Sequence, residues 1–258
     1  MRTALTIAGS DSGGGAGIQA DLRTFTALGV HGTSAITAIT AQNTLGVSAV
    51  LALPPALVVA QIDAVVPDLG ADAVKIGMLA NAEIAAAVAD ALIHHQLSPV
   101  VLDPVMVAKG GASLIDADAV AVLRSRLFRL ATVVTANIPE AEALTGITAT
   151  TVGDARRAAA AMVEAGAQAA IVKGGHLAGD AVDVLFDGAA FTEFRSARIV
   201  TVHTHGTGCT FASAIAAHLA LGTSLEDAVG AAKIYVTRAI EHAPGLGHGH
   251  GPLGLGKA

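Results

Sequence analysis

The sequence predicts one doubly wound α/β domain with a mostly parallel sheet. Three observations point there. Short runs of small and β-branched residues alternate with stretches of helical periodicity, polar clusters fall at the ends of those runs, and no linker, repeat or composition shift divides the 258 residues.

Residues 3–9 form a first strand, broken by Gly9-Ser-Asp-Ser-Gly-Gly-Gly-Ala-Gly17 before a helical pattern over 18–28. Ser34–Ala41 and Val47–Leu53 read as strands joined by the turn Asn43-Thr44-Leu45-Gly46. Pro54-Pro55 stops the second run and opens a helix to Val66. Ala73–Met78 is a buried strand, Asn81 caps a helix to His95, and Val100–Met106 is the next strand. Helix, strand and helix follow over 116–127, 132–137 and 154–165, then a strand at Ala169–Lys173. Asp187-Gly188, between Asp183–Phe186 and Phe191–Phe194, is a hairpin signal that puts antiparallel strands near one edge. Helices over 208–221 and 224–242 complete a single domain of residues 1–258, in which glycine-rich 243–258 reads as a loop or tail.

Composition narrows the function. Hydrophobic residues make up 53% of the chain, but much of that is alanine and no run reaches the roughly 18 apolar residues of a membrane span. The start looks like a strand rather than a signal peptide, and a single cysteine precludes an intrachain disulfide, so a reducing cytoplasm is expected. A net charge of −6 without basic clusters, and 3% aromatic residues without tryptophan, argue against nucleic acid. A small ligand is expected.

In a doubly wound sheet ligands bind beyond the carboxyl ends of the strands. The polar clusters lie there: Gly9–Gly17, Gln42-Asn43, Asp103-Pro104, Asn137–Glu140, Lys173-Gly174-Gly175 and His205–Cys209. The last is the most telling. Phe211, Ala214, Ile215, His218 and Leu219 repeat at helical spacing, so a helix begins within Gly206-Thr-Gly208 and Cys209 sits in its first turn. Free N–H groups and the helix dipole make that start an anion hole, and the two glycines allow close approach. The same field is expected to lower the thiol's pKa. The Gly9–Gly17 loop lacks both the Gly-Lys-Ser/Thr ending and the Gly-x-Gly-x-x-Gly spacing of the common phosphate loops.

Seven ordered segments carry a resemblance: Thr6-Ile-Ala-Gly-Ser-Asp-Ser-Gly-Gly-Gly-Ala-Gly-Ile-Gln-Ala-Asp21, Ala41-Gln-Asn-Thr44, Lys75-Ile-Gly-Met78, Val101-Leu-Asp-Pro-Val-Met106, Asn137-Ile-Pro-Glu140, Lys173-Gly-Gly-His176 and Thr204-His-Gly-Thr-Gly-Cys-Thr210. Together with Gly247-His-Gly-His-Gly-Pro252, this resembles the hydroxymethylpyrimidine/phosphomethylpyrimidine kinases of thiamine biosynthesis, a branch of the ribokinase-like fold. The resemblance implies a three-layer fold and two successive phosphorylations with Mg²⁺ and ATP. Gln42 would bond the aminopyrimidine edge, Asp21 would lie near the hydroxymethyl group, and Gly9, Met78 and Val105 would complete the substrate site. Asn137, Lys173 and Lys233 would serve the nucleotide, and Glu140, with Asp103, would serve the metal through water. Gly206, Thr207, Gly208 and Cys209 would form the anion hole and catalytic position. His203 and Ala136 depart from the family pattern, which has a polar asparagine or aspartate and a proline there.

Several of these residues have plainer readings. Asp21 also suits a solvated helix surface, and Asn137 with Glu140 suits a capping box, which is compatible with a site role. An amide at Gln42 offers a donor and an acceptor to one heterocycle edge. A lysine ending a buried strand, as Lys173 does, points to a nearby anion. His248 and His250 lack a third ligand type and read as loop. A vitamin B6 kinase and a catalytically silent pyrimidine-binding regulator are the alternatives; a homodimer is expected.

Overall fold

A computed structural model of the chain describes residues 1–106, 117–175 and 179–257. The strands are β1 (Thr3–Asp11), β2 (His31–Asn43), β3 (Gly46–Ala52), β4 (Ala73–Ile76), β5 (Val100–Leu102), β6 (Val133–Asn137), β7 (Ala170–Lys173), β8 (Ala181–Phe186) and β9 (Phe191–Ser196). They form one sheet in the order β3-β2-β1-β4-β5-β6-β7-β8-β9. From β2 to β7 neighbours are parallel, whereas β3, β8 and β9 pair antiparallel to the strand before them. Antiparallel strands therefore close both edges, not the one edge expected. The turn at Asn43–Gly46 folds Val47–Leu53 straight back on β2 as a hairpin.

The helices are α1 (Gly17–Ala27), α2 (Pro55–Leu69), α3 (Ala82–His94), α4 (Ala117–Val122), α5 (Ile138–Thr145), α6 (Val152–Glu164), α7 (Thr207–Ala220) and α8 (Leu225–Glu241). One apolar layer packs α2, α3, α5 and α6 on a sheet face through residues such as Ile62, Val88, Leu144 and Met162. The other packs α1, α7 and α8 on the opposite face through Phe25, Phe211, Ile215 and Val229. This is the three-layer domain expected. Its alanines explain the apolar composition: Ala212, Ala214, Ala216 and Ala217 are wholly buried in α7, where their small size lets that helix sit close to the sheet.

Some boundaries move. The fourth and fifth strands stop at Ile76 and Leu102, and α2 runs three residues past Val66 with Pro67 in its last turn. The expected 116–127 helix begins at residue 116, outside the described residues. It continues past α4 as a wider turn (Leu123–Leu127) and a tight one (Phe128–Leu130).

The C-terminal segment is docked rather than a free tail. Leu253 and Leu255 are buried, His250 N–H donates to Thr44 O (2.8 Å), and His205 N–H donates to Gly251 O (3.1 Å). A Cβ on Gly249 would run into the Thr44 carbonyl, so glycine permits the approach. The segment thus ties the β2–β3 turn to the loop before α7.

Candidate active site

The order of the sheet reverses at β1, which lies between β2 and β4, and a cavity of about 590 Å³ opens beyond the carboxyl ends of the strands there. Gly9, Gln42, Met78 and Val105 line it, as do Asp103, Asn137, Glu140, Lys173, Lys233 and the segment Gly206–Cys209. The structure therefore brings together the residues expected from sequence, with one exception.

Asp21 is that exception. It is fully buried on α1, so it does not lie on a solvated surface, and it is absent from the cavity wall where the substrate residues gather. Its carboxylate accepts from Lys75 Nζ (2.9 and 3.0 Å), Thr6 Oγ1 (2.6 Å) and Ser213 Oγ (2.7 Å). Every lone pair it can offer is spent inside the protein. Lys75, also fully buried, is its counter-ion and itself lines the cavity. Burial disfavours the Lys75 charge, but Asp21, together with Cys209 and Asp103, outweighs it and holds the ammonium above its usual range.

The α7 terminus has the expected geometry. Gly206 takes the left-handed conformation (φ 82°), and a Cβ there would strike the Gly15 carbonyl. Thr207 N–H turns back to Thr204 O (3.3 Å) and Thr210 N–H closes the first helical bond to Gly206 O (2.9 Å). Among the described residues no partner claims the N–H groups of Gly208 and Cys209, which are free for an anion.

Cys209 corrects an expectation. Its thiol is pushed up to about 11, not down: burial dominates, Asp21 and Asp103 add to it, and Lys75 and the Gly17 N–H only partly offset it. The sequence shows the helix terminus but not the two carboxylates folded beneath it.

Lys173 donates to Asp103 Oδ1 (3.1 Å) and lies 3.9 Å from Glu140 Oε2. Burial works against its charge, but these two carboxylates hold it above the usual lysine value. Glu140 is also raised, to about 7, but here the shift disfavours the charge, because burial outweighs Lys173. Asn137 and Glu140 form a capping box: Glu140 N–H donates to Asn137 Oδ1 (2.9 Å) and Asn137 N–H to Glu140 Oε2 (2.7 Å). Lys233 spends its ammonium on Asp183 Oδ2 (2.8 Å) and Ala181 O (3.1 Å), while Asp183 Oδ1 accepts from Gly174 N–H (2.9 Å). It braces the turn after Lys173. His176 lies outside the described residues.

Asp103 Oδ2 is buried without a hydrogen-bond partner, and both Asp103 and Glu140 face the cavity. Among the described residues no group of three or more histidine, cysteine or carboxylate side chains could hold a metal. Two carboxylates, one of them an orphan acceptor, fit Mg²⁺, which keeps waters and phosphate oxygens in its shell. His248 and His250 belong to the docked segment, as loop. Ala136 is buried in β6 opposite Val172, and His203 stands half-buried beside Gly251 with Nδ1 unpartnered.

Residues 11–254 match the family model described as phosphomethylpyrimidine kinase. The chain belongs to that family. It is 51% identical over 251 residues to the hydroxymethylpyrimidine/phosphomethylpyrimidine kinase of Bacillus subtilis, covering 96% of this chain and 93% of that one. It is 58% identical over 250 residues to the thiamine biosynthesis bifunctional protein ThiED of Geobacter sulfurreducens; this is 96% of the chain but 51% of that longer protein. The solved ADP complex of Bacillus subtilis pyridoxal kinase has a TM-score of 0.93 at 40% identity, covering 100% of this chain and 98% of that one. The fold is thus that of the ribokinase-like kinases, and the chain is a kinase with ATP as co-substrate.

Four residues of the site had no role assigned from sequence: Asp11, Lys75, Asp183 and His205. A charged residue within an apolar strand, as Lys75 is, signals a buried partner. An aspartate two residues before a run of three glycines, as Asp11 is, signals a side chain that organises its own loop.

Proposed function

We propose that the chain phosphorylates the hydroxymethyl group of 4-amino-5-hydroxymethyl-2-methylpyrimidine and then the resulting monophosphate, giving the pyrophosphate for thiamine biosynthesis. One observation supports this most. A single cavity holds a ring-reading amide, Gln42, and a lysine–carboxylate set around Lys173, joined by His205–Gly208 at the start of α7.

Each part has a task. Gln42 offers the heterocycle a donor and an acceptor, while Met78 and Val105 give apolar walls. The free N–H groups of Gly208 and Cys209, with the α7 dipole, face the charge that builds on the transferring phosphoryl group. Lys173, held protonated, faces the phosphates as a fixed positive charge. When the acceptor is the alcohol, its proton leaves as the O–P bond forms, and Cys209, in its thiolate form, is the group in the first turn that receives it. The monophosphate acceptor is already ionised near neutral pH and needs no such transfer. Mg²⁺, held by Asp103 and Glu140 through water, would neutralise phosphate charge.

A homodimer and a cytoplasmic location complete the proposal, with no role for membrane or nucleic acid. Ile39 and Leu51, paired across β2 and β3, are exposed apolar side chains suited to a second copy. No helix among the described residues is long and apolar enough to cross a membrane. The likeness to pyridoxal kinase keeps a vitamin B6 activity as the second reading. Product analysis with Mg·ATP tests both: two phosphates added to hydroxymethylpyrimidine support the first reading, and faster turnover of pyridoxine would replace it.

A further inference from the structure

Two side chains at the cavity wall converge on one imidazole nitrogen. Asp11, at the end of β1, accepts from the N–H groups of Gly13 (2.8 Å), Gly15 (3.0 Å) and Ala16 (2.8 Å), and its Oδ2 lies 2.9 Å from His205 Nε2. Burial works against its charge, but His205 and the backbone N–H groups outweigh it and hold Asp11 below the ordinary carboxylate value. An ionised carboxylate only accepts. His205 Nε2 therefore carries a proton and donates it to Asp11, whether the ring is neutral or charged.

The same nitrogen lies 3.3 Å from Gln42 Nε2, so a donor faces a donor. At the amide's other end Thr40 Oγ1 lies 3.0 Å from Gln42 Oε1 and 2.8 Å from the Ser10 carbonyl, and its one proton can serve only one of them. With the proton on the shorter contact, an oxygen faces an oxygen at the amide. A half-turn of the Gln42 amide, which keeps its shape, removes both mismatches. Oε1 then accepts from His205 and the NH₂ group donates to Thr40.

We infer that His205, its tautomer fixed by Asp11, sets the orientation of the Gln42 amide and thereby decides which heterocycle edge the enzyme accepts. The ligand in this inference rests on the proposed pyrimidine substrate, whereas the hydrogen-bond geometry does not. With Oε1 on the His205 side, the outward edge of the amide offers an acceptor there and a donor beside it. A 4-aminopyrimidine matches that pair with its exocyclic amine and adjacent ring nitrogen. The hydroxymethyl carbon is bonded next to the amine-bearing carbon, so the reacting hydroxyl falls on the side that continues into Gly206–Cys209. A 4-oxopyrimidine presents the reverse order and sets acceptor against acceptor. His205 is a positioning residue for ring specificity.

Two measurements test this. Nitrogen-15 NMR of the imidazoles, assigned by comparison with His205→Phe, is expected to show His205 protonated at Nε2. An unprotonated Nε2 overturns the inference whatever the substrate proves to be. The second is the ratio of kcat/KM for the 4-amino acceptor to that for its 4-oxo counterpart. It is expected to be about 10²-fold or more in the unaltered protein, to fall at least about tenfold in His205→Phe, and to stay within a few-fold in His205→Gln, which retains an N–H. A loss of rate in His205→Phe with the ratio intact would assign His205 a merely structural part and overturn the inference. If the unaltered protein phosphorylates neither acceptor, the pyrimidine reading falls, and the tautomer still decides for or against His205.

Discussion

Placing Cys209 at about 11 turns a qualitative role into a measurable pH dependence. At pH 8 only about one enzyme molecule in 10³ holds the thiolate, and each further pH unit raises that fraction about tenfold until the pKa is reached. If the sulfur takes the proton of the alcohol acceptor, kcat/KM for hydroxymethylpyrimidine climbs about tenfold per unit between pH 7 and 10. The same quantity for the monophosphate lacks that slope, because that acceptor has already lost its proton. Cys209→Ala should abolish the slope and cost the alcohol reaction about 10²–10⁴-fold, the usual range for a lost general base, and the phosphate reaction much less. The assay supplies each acceptor separately and follows ADP release across pH, alongside the rate of iodoacetamide labelling. Labelling should be slow at pH 8 and rise toward pH 10. A flat alcohol profile with fast labelling at pH 7 would refute the raised pKa. Equal losses on both acceptors in Cys209→Ala would point to a damaged anion hole, and no loss on the alcohol would remove the sulfur from the reaction.

Gln42→Ala should raise KM for the pyrimidine far more than KM for ATP, by the roughly 1–3 kcal/mol of a lost pair of hydrogen bonds to a buried polar edge; equal effects would detach Gln42 from the ring. Glu140, pushed up to about 7, has to lose its proton before it can serve a cation, so the magnesium concentration for half-maximal rate should fall as pH rises through 7. Glu140→Gln should raise that concentration and erase its pH dependence, and an unaltered response would leave Glu140 as a cap alone. Asp21→Asn leaves the Lys75 ammonium buried without its counter-ion, which costs about 3–5 kcal/mol and, at this chain length, lowers Tm by roughly 6–20 °C. An unchanged melting curve with a raised pyrimidine KM would return Asp21 to the substrate.

The reach of the sequence is clearest in α7 and weakest beneath it. Helical spacing after Gly206-Thr-Gly208 places the anion hole within a residue of where it forms, because a helix start is a local event. Glu140 is legible for the same reason: the capping box spans only the four residues Asn137–Glu140. The partners of Asp21 are not local. Lys75 lies 54 residues away and Ser213 lies 192 away, and only the packing of α1 against β4 and α7 brings them together. That unseen assembly also reversed the direction expected for Cys209. The docking of 243–257 escaped for a related reason, since glycines that read as looseness in sequence are there to admit backbone against Thr44.

The charges around the cavity constrain how a triphosphate can enter it. Each cavity lysine already has a carboxylate: Lys75 has Asp21, Lys173 has Asp103 and Glu140, and Lys233 has Asp183. Three positive charges meet four carboxylates, and Glu140 at about 7 is half protonated near neutrality, so the set is close to neutral before any ligand arrives. A lysine cannot turn wholly to a phosphate without leaving a carboxylate buried and unpaired, a cost of several kcal/mol. Much of the counter-charge for the nucleotide must therefore come from groups other than these three lysines. The N–H groups of Gly208 and Cys209 supply part of it as fixed dipoles, and a cation facing Asp103 Oδ2, the one buried carboxylate oxygen without a hydrogen-bond partner among the described residues, would supply more.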